Sequence, residues 1–288
     1  MNAPDSATAA APAIRRNAVP GDHALAARLR RAIEGEVLFD AGTRGRYSTD
    51  ASIYQIEPIG VVVPKHDEDV KAALAIAREE RIPVLPRGAG TSQCGQTVGE
   101  ALVIDGSKYL DKIVAFDKEQ RTVTVEPGIV LDRLNAWLRP HGLWFPVDVS
   151  TSAQATIGGM AGNNSCGARS IEYGNMVHNV LGVDAILADR AEAHFGPLAE
   201  ARKSNVMAPI AARIEAIALA ERDEIARMYP KVLRRVGGYN LDLFDPQSVR
   251  PYTEDAAVNL AHLLLGPAGT RAYSRRINIQ HRLVCQVL

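Results

Sequence analysis

The run from Ile59 to Gly95 limits what this chain can fold into more than any other stretch. "IGVVVP" is a short β-branched segment closed by Pro64, the pattern of a buried strand. "DEDVKAALAIAREERI" follows, opening with acidic residues suited to a helix N-terminus and carrying Val70, Leu74 and Ile76/Ala77 on one inward face. "PVLP" is a second short strand. A strand, a helix and a strand in that order imply a parallel pair joined by a crossover. Directly behind the second strand stands "PRGAGTSQCG", Pro86 to Gly95, almost bare of bulky side chains. Backbone that permissive serves either a sharp turn or the close approach of something to the main chain.

The remaining elements follow the same alternation. "HALAARLRRAIEG" has helical spacing, with Leu25, Leu29 and Ile33 on one side and Gly35 as its stop. "ALVID", "KIVAFD" and "TVTVEPG" are short strands, the last alternating Thr122 and Thr124 with Val123 and Val125. "VLDRLNAWLRPHG" aligns Leu131, Leu134 and Leu138 on a short helix closed by Gly142, "VLGVDAILA" is a further strand, and the spacing is helical from Lys203 to Met228. No internal repeat occurs.

Composition removes several function classes. The 33 basic and 33 acidic residues cancel, so no overall field draws the chain to nucleic acid or to an acidic membrane. Cys94, Cys166 and Cys285 are too few and too scattered for a disulfide framework, and none forms a C-x-x-C pair, which argues against a zinc or iron–sulfur site. Residues 1–22 are rich in Ala and Pro and read as a flexible tail. Arg15 and Arg16 lack the apolar segment a signal peptide needs after them. No run approaches the ~18 apolar residues of a membrane span. The expectation is a soluble cytoplasmic protein with no metal.

A second glycine-rich stretch, "PVDVSTSAQATIGGMAGNNSCGARSIEYG", runs from Pro146 to Gly174. Irregular segments longer than ~12–15 residues, bounded by strong strands, are usually functional. Consecutive main-chain N–H groups without side chains in front of them make a nest for an anion, typically a diphosphate. Gly88 and Gly90 permit close approach, and Thr91 and Ser92 add hydroxyls. In the second stretch Gly158, Gly159 and Gly162 stand beside the amides of Asn163 and Asn164. A lone G-x-G is equally compatible with a plain turn; the second stretch shifts the balance toward a ligand. A dinucleotide fingerprint fails because Gln93 replaces its last glycine. A P-loop has Gly90, Gly95 and Thr97 in place but Gln96 instead of its lysine. No G-x-S-x-G elbow or H-E-x-x-H site is present.

Taken in order, "RYSTDASIYQIEPIGVVVPKHDEDV", "PRGAGTSQCGQTVGEALVIDGSKYLDKI", "VTVEPGIVLDRLN", the second glycine-rich stretch with "NMVHNVLGVDAILAD", "GGYNLDLF" and "NLAHLLLGPAGT" resemble the flavin-binding domain of the p-cresol-methylhydroxylase/vanillyl-alcohol-oxidase (PCMH) type. Within it they are most similar to FAD-linked D-2-hydroxy-acid dehydrogenases of the D-lactate, glycolate and D-2-hydroxyglutarate kind. The resemblance covers roughly residues 46 to 275. It implies an α+β fold in which two α/β subdomains hold FAD between them. The corresponding division is a tail over 1–22, a helical segment over 23–45 and the flavin domain over 46–279. Within that domain subdomain one covers about 56–117, and subdomain two about 118–279 with a helical insertion near 195–250.

By position, the resemblance puts Arg87, Gly88, Ala89, Gly90, Thr91, Ser92 and Gln93 around the diphosphate. Pro146, Asp148 and Ser150 begin the second wall, and Thr156, Gly158, Gly159 and Asn163 continue it. Arg169 and Tyr173 fall where the family's chain runs close to the flavin. Arg169 also suits a surface ion pair, and His178 suits a structural role better than a catalytic one. The first loop holds no histidine, so FAD is expected to be bound non-covalently.

In the resembling enzymes a hydride passes from the carbon bearing the substrate's hydroxyl to flavin N5. A base takes the hydroxyl proton and a cation, usually Arg, grips the carboxylate. Those groups come largely from a cap domain, for which this sequence has no counterpart. The catalytic residues are therefore unassigned, and a second chain supplying the cap becomes an expected partner beside the small 2-hydroxy acid. A non-catalytic FAD-binding module, or one subunit of a split flavoenzyme, is the alternative. Two departures from the family stand out. "GPAGTRAYS" carries Ala268 for an acid and Arg271 for an apolar residue, while Gly266, Gly269 and Thr270 survive. Asp189–Arg190 replaces a tight Asp-Gly turn, which argues against a regular hairpin there.

Overall fold

The computed structural model describes residues 18–232, 238–244, 257–266 and 272–283. Most of the expected tail, the motif positions Ala268, Gly269, Thr270 and Arg271, and Cys285 lie outside them.

The first lobe is built on a four-stranded sheet of β1 (Glu36–Leu38), β2 (Gly60–Val63), β3 (Val84–Arg87) and β4 (Leu102–Asp105), in the order β1-β2-β4-β3. β2 and β3 are parallel, as their strand–helix–strand sequence requires, but they do not touch. β4 lies between them, parallel to both. Every residue of β2 and β4 is buried, which is what a strand covered on both faces demands. One face is closed by α1 (His23–Ala32) and α3 (Asp67–Glu79), whose Leu25, Leu29, Val70 and Ala73 pack with Leu102 and Ile104. α2 (Ala41–Tyr47) leads into the loop at the other end, with its N-cap Asp40 accepting from the Thr43 amide. Asp69 is buried because its carboxylate accepts from the main-chain amides of Glu34 and Lys65, each at 2.8 Å. α1 ends at Ala32 with Ile33 as its C-cap, so Gly35 is not its stop. Gly35 instead passes the end of β2, where a Cβ would lie 2.3 Å from the Val63 carbonyl oxygen.

The second lobe contains a five-stranded antiparallel sheet of β5 (Ile113–Asp117), β6 (Thr122–Val125), β8 (Val180–Leu187), β9 (Glu192–Phe195) and β10 (Ala272–Gln280), ordered β5-β6-β10-β8-β9. A short pair, β7 (Leu143–Trp144) with β11 (Arg282–Leu283), stands beside it. α4 (Leu131–Leu138), α5 (Ile157–Asn163), α6 (Ser170–Tyr173) and α7 (Met176–Asn179) lie between β6 and β8 in the chain. α4 buries the leucine stripe read from the sequence, together with Phe145, Ile157 and Met176. The alternation in β6 is as expected, with Val123 and Val125 inward. The helical stretch after Lys203 is not continuous. α8 (Leu198–Ala201) precedes α9 (Met207–Ala220), and α10 (Arg222–Met228) begins after a break at Glu221.

Sheet membership moves two of the expected borders. β1 pairs with β2 and α1 packs on α3, so residues 23–45 belong to the first lobe rather than to a separate helical segment. β5 pairs with β6 through a turn in which the Gln120 amide donates to Asp117, so β5 sits in the second sheet and the lobes divide between Asp105 and Ile113. The hairpin from β8 to β9 does form without an Asp-Gly turn. Arg190 takes up the left-handed conformation at φ 75° and Asp189 accepts from the Ala191 amide. The lobes meet where Ile186 and Tyr273 enter the first lobe's core, where Arg275 lies 3.4 Å from Asp67 and where Lys71 lies 2.6 Å from Glu192.

Candidate functional site

A cleft of about 480 Å³ opens at the carboxyl ends of β3 and β4, within the size range of small-molecule sites. Such ends, beyond parallel strands, are where open α/β sheets take their ligands. One wall is the segment after β3. The other is made by Pro127 and Gly128, by the N-terminal part of α5, and by the start of β10.

Arg87, Gly88, Ala89, Gly90, Thr91, Ser92 and Gln93 all line the first wall. The main-chain N–H groups from Gly88 to Gln93 find no hydrogen-bond partner among the described residues. Six consecutive unpartnered donors facing a cleft form a nest for a polyanion. The side chain of Arg87 takes no part in this. Its guanidinium donates to the carbonyls of Tyr47 at 3.0 Å, Thr97 at 3.0 Å and Thr49 at 2.8 Å, and lies over the Tyr47 ring. The Tyr47 hydroxyl in turn donates to Asp105 at 2.5 Å. Burial, and then the neighbouring Asp105 carboxylate, push that phenol's pKa up, so it stays a proton donor.

Ser150, Thr156, Gly158, Gly159 and Asn163 line the opposite wall. This segment is not an irregular loop. α5 begins there, capped by Thr156, whose Oγ1 accepts from the Gly159 amide. The amides of Ile157 and Gly158 donate to the carbonyls of Ile129 and Pro127. The two glycine-rich stretches differ in their amides: the first offers bare donors, whereas in the second the amides at the start of α5 are taken up; glycines pack closely against neighbours in both. A Cβ on Gly158 would lie 2.6 Å from the Pro127 side chain, and one on Gly128 would lie 2.0 Å from the Gly106 carbonyl oxygen.

Four expected site residues do not line the cleft. Asp148 accepts from the Arg169 amide at 3.1 Å, the Arg169 guanidinium lies over the Trp144 ring, and Tyr173 meets that ring edge-on at 5.4 Å. Pro146 is buried in the segment after β7. Asp148, Arg169 and Tyr173 form a separate cluster around Trp144, with Arg169 in the ion pair that its sequence context also allowed. Gly167 fixes the arrangement, since a Cβ there would lie 2.1 Å from Asp148 Oδ1. His178 is structural: its Nδ1 accepts from the Asn175 amide at 2.9 Å and closes the cap of α7.

Sequence reasoning missed Gly106, Pro127, Gly128, Leu264 and Tyr273, all in the lining. "VEPG" could have signalled the second and third of these as a tight turn behind a strand, whereas nothing local marks Tyr273 as a cleft residue. Among the described residues no group of three or more His, Cys, Asp or Glu could hold a metal, and no helix is long and apolar enough to cross a membrane.

Residues 58–192 match the family model described as an FAD binding domain. The chain is 32% identical over 248 residues to a D-2-hydroxyglutarate dehydrogenase of Pantoea ananatis, an alignment covering 83% of this chain and 24% of that protein. It is 36% identical over 162 residues to the glycolate oxidase subunit GlcD of Bacillus subtilis, covering 54% of this chain and 34% of the relative. Among solved structures, alkyldihydroxyacetonephosphate synthase matches with a TM-score of 0.63 at 15% identity, over 92% of this chain and 44% of that one. This last likeness concerns the fold, and it agrees with the PCMH-type arrangement of two subdomains. The chain spans about a quarter of the length of the D-2-hydroxyglutarate dehydrogenases it matches.

Proposed function

We propose that the chain, whose residues 58–192 match the family model of an FAD binding domain, holds FAD non-covalently in the cleft between its lobes and serves oxidation of the CH–OH group of a D-2-hydroxy acid. The observation that carries this reading is the row of unpartnered amides from Gly88 to Gln93. A diphosphate carries enough acceptor oxygens to satisfy several such donors at once. Thr91 adds a hydroxyl beside them, while the Ser92 hydroxyl already donates to Gln96 at 2.6 Å. Ile104, Val149, Met160 and Leu264 offer apolar surface for ring systems, and Ser150 and Asn163 offer polar groups on the facing wall.

When bound, FAD supplies the acceptor for the hydride that leaves the hydroxyl-bearing carbon. The protein's own part is to hold and orient. Gly88 to Gln93 would hold the charged middle of the cofactor, and the packed glycines bring the second wall close to its neighbours. Arg87 is the one cation in the described lining, and its three carbonyl acceptors leave it unavailable to a substrate carboxylate. The carboxylate grip and the base therefore come from outside this lining, in our reading from a cap on a second chain or a further segment. The same observation favours a second reading, in which the chain is a flavin-binding module or the flavin subunit of a split enzyme. A cytoplasmic setting belongs to the proposal as well.

Titrating the purified chain with FAD tests the binding, and quenching of flavin fluorescence with saturation is the expected result. Anaerobic addition of D-2-hydroxyglutarate, D-lactate or glycolate to the loaded protein then separates the two readings. Bleaching of the yellow colour identifies an autonomous enzyme, and persistent colour identifies the module. A chain that ignores FAD overturns both.

A further inference from the structure

We infer that the phenol hydroxyl of Tyr273 donates a hydrogen bond to bound FAD, making Tyr273 a cofactor-binding residue of the second lobe. This rests on the reading that FAD occupies the cleft. Tyr273 stands near the start of β10, paired in register with Ile186, and its ring is buried among Ile104, Leu110 and Ile186 of the first lobe's core. The side chain therefore bridges the two lobes at the floor of the cleft that it lines. The residue is only 6% exposed, yet no hydrogen bond to its hydroxyl occurs among the described residues. That hydroxyl lies 3.4 Å from where a Cβ on Gly106 would stand, and Gly106 lines the same cleft. Bare backbone at Gly106 leaves the phenol's polar end open toward the cleft.

A buried phenol almost always finds a partner, because leaving one unmade costs more than making it gains. The described residues supply none here, and the side chain lines the open cleft, so a cofactor filling the cleft would meet this hydroxyl. Burial, with Asp67, Asp105 and Glu126 nearby, pushes the phenol's pKa up. The group therefore keeps its proton at neutral pH and is able to donate. FAD offers ring, sugar and phosphoryl acceptors along its length. Its burial, the lack of a partner among the described residues and its position at the lobe junction single this residue out.

The test compares the full chain with its Tyr273→Phe variant, which removes one oxygen and keeps the ring. FAD titration by flavin fluorescence should show a dissociation constant about 3- to 10-fold higher for the variant, the range of one neutral hydrogen bond. The thermal midpoint of the FAD-free protein should stay level or rise, since the deleted hydroxyl has no protein partner. A purely structural role predicts the reverse pattern, a lower midpoint with unchanged affinity, and would overturn the inference. Equal FAD affinity in both proteins also overturns it while leaving FAD occupancy intact. Failure of the unsubstituted chain to bind FAD removes the underlying reading, so the two failures are told apart.

Discussion

Gly88 and Thr156 face each other so closely across the cleft's floor that a Cβ on Gly88 would lie 2.1 Å from Thr156 Oγ1. The contact joins the two walls: Gly88 opens the nest behind β3, and Thr156 caps α5 on the other lobe. Thr156 is buried, with 2% of its surface exposed, so it has no room to swing away. The width of the cleft is set here by the absence of a single methyl group.

Gly88→Ala should therefore destabilise the FAD-free protein by about 1–3 kcal/mol, the usual cost of overpacking a tight contact. Thr156→Ala alone loses the cap to the Gly159 amide, at a cost of about 1 kcal/mol. The double variant should cost clearly less than the two single effects added together, because removing Oγ1 relieves the collision. Urea midpoints of the four proteins measure this coupling, and strict additivity would show that the walls do not touch as described.

The hairpin between β8 and β9 holds an exposed arginine in a conformation that suits glycine. Arg190 lies at φ 75°, at the end of a turn closed by its own amide donating to the Leu187 carbonyl. Arg190→Gly should raise stability by roughly 0.5–1 kcal/mol, since the relief of backbone strain exceeds glycine's added chain entropy. A calorimetric midpoint that falls instead would mean the turn is not left-handed at this residue.

Much of this architecture was legible in the sequence because it follows from local periodicity. The valines of β2, the leucine stripe of α4 and the Thr/Val alternation of β6 all take the faces their spacing predicts. What was not legible depends on distant chain segments. Nothing in "PVLP" announces that β4 inserts between β2 and β3, because strand order is decided by residues that arrive later. The glycines of "TIGGMAGNN" looked like those of "PRGAGTSQCG", and both sets hold close neighbours, Gly158 against Pro127 and Gly88 against Thr156, yet the latter set alone also borders the row of bare amides. Composition alone cannot separate a glycine needed for a neighbour from one needed for a ligand. Arg169 and Tyr173 were expected at the cleft by resemblance and lie instead against Trp144, whose ring both contact.

Asp184 and His194 are register partners on β8 and β9, with Oδ1 and Nδ1 2.6 Å apart. Their hydrogen bond lowers the Asp184 pKa and raises that of His194. The histidine's contribution is complete below its ordinary value of 6.5 and is lost as pH rises through its raised folded value. The aspartate's contribution is complete above its ordinary value of 3.8 and is lost as pH falls through its depressed folded value. The pair is thus fully effective between about pH 4 and 6.5. Because both groups are partly exposed, the effect is below about 1 kcal/mol. His194→Gln should flatten the decline in stability above pH 6.5, measured as urea midpoints from pH 5 to 9. An identical slope in variant and parent would exclude the pair as its source.

Arg87 stands at the mouth of the nest, where a cation would be expected to meet phosphate, yet its guanidinium is spent on the carbonyls of Tyr47, Thr49 and Thr97. Its role is to tie the loop after α2 to the loop after β3. Arg87→Met leaves three carbonyls without their charged donor and should lower the stability of the FAD-free protein by about 2–4 kcal/mol. The salt dependence of FAD binding should stay unchanged, because no cation is removed from the diphosphate. Gly90 probes the same device from the other side. It sits at φ 69°, and a Cβ there would lie 2.5 Å from Arg87 Nη2, so Gly90→Val points its branch at the guanidinium and not at the ligand. Backbone strain and collision together should destabilise that variant even without FAD, by about 2 kcal/mol or more. If Gly90→Val melts at the parent's temperature and loses only its affinity for FAD, its side chain faces the cleft and the assignment of Arg87 as a loop clamp is wrong.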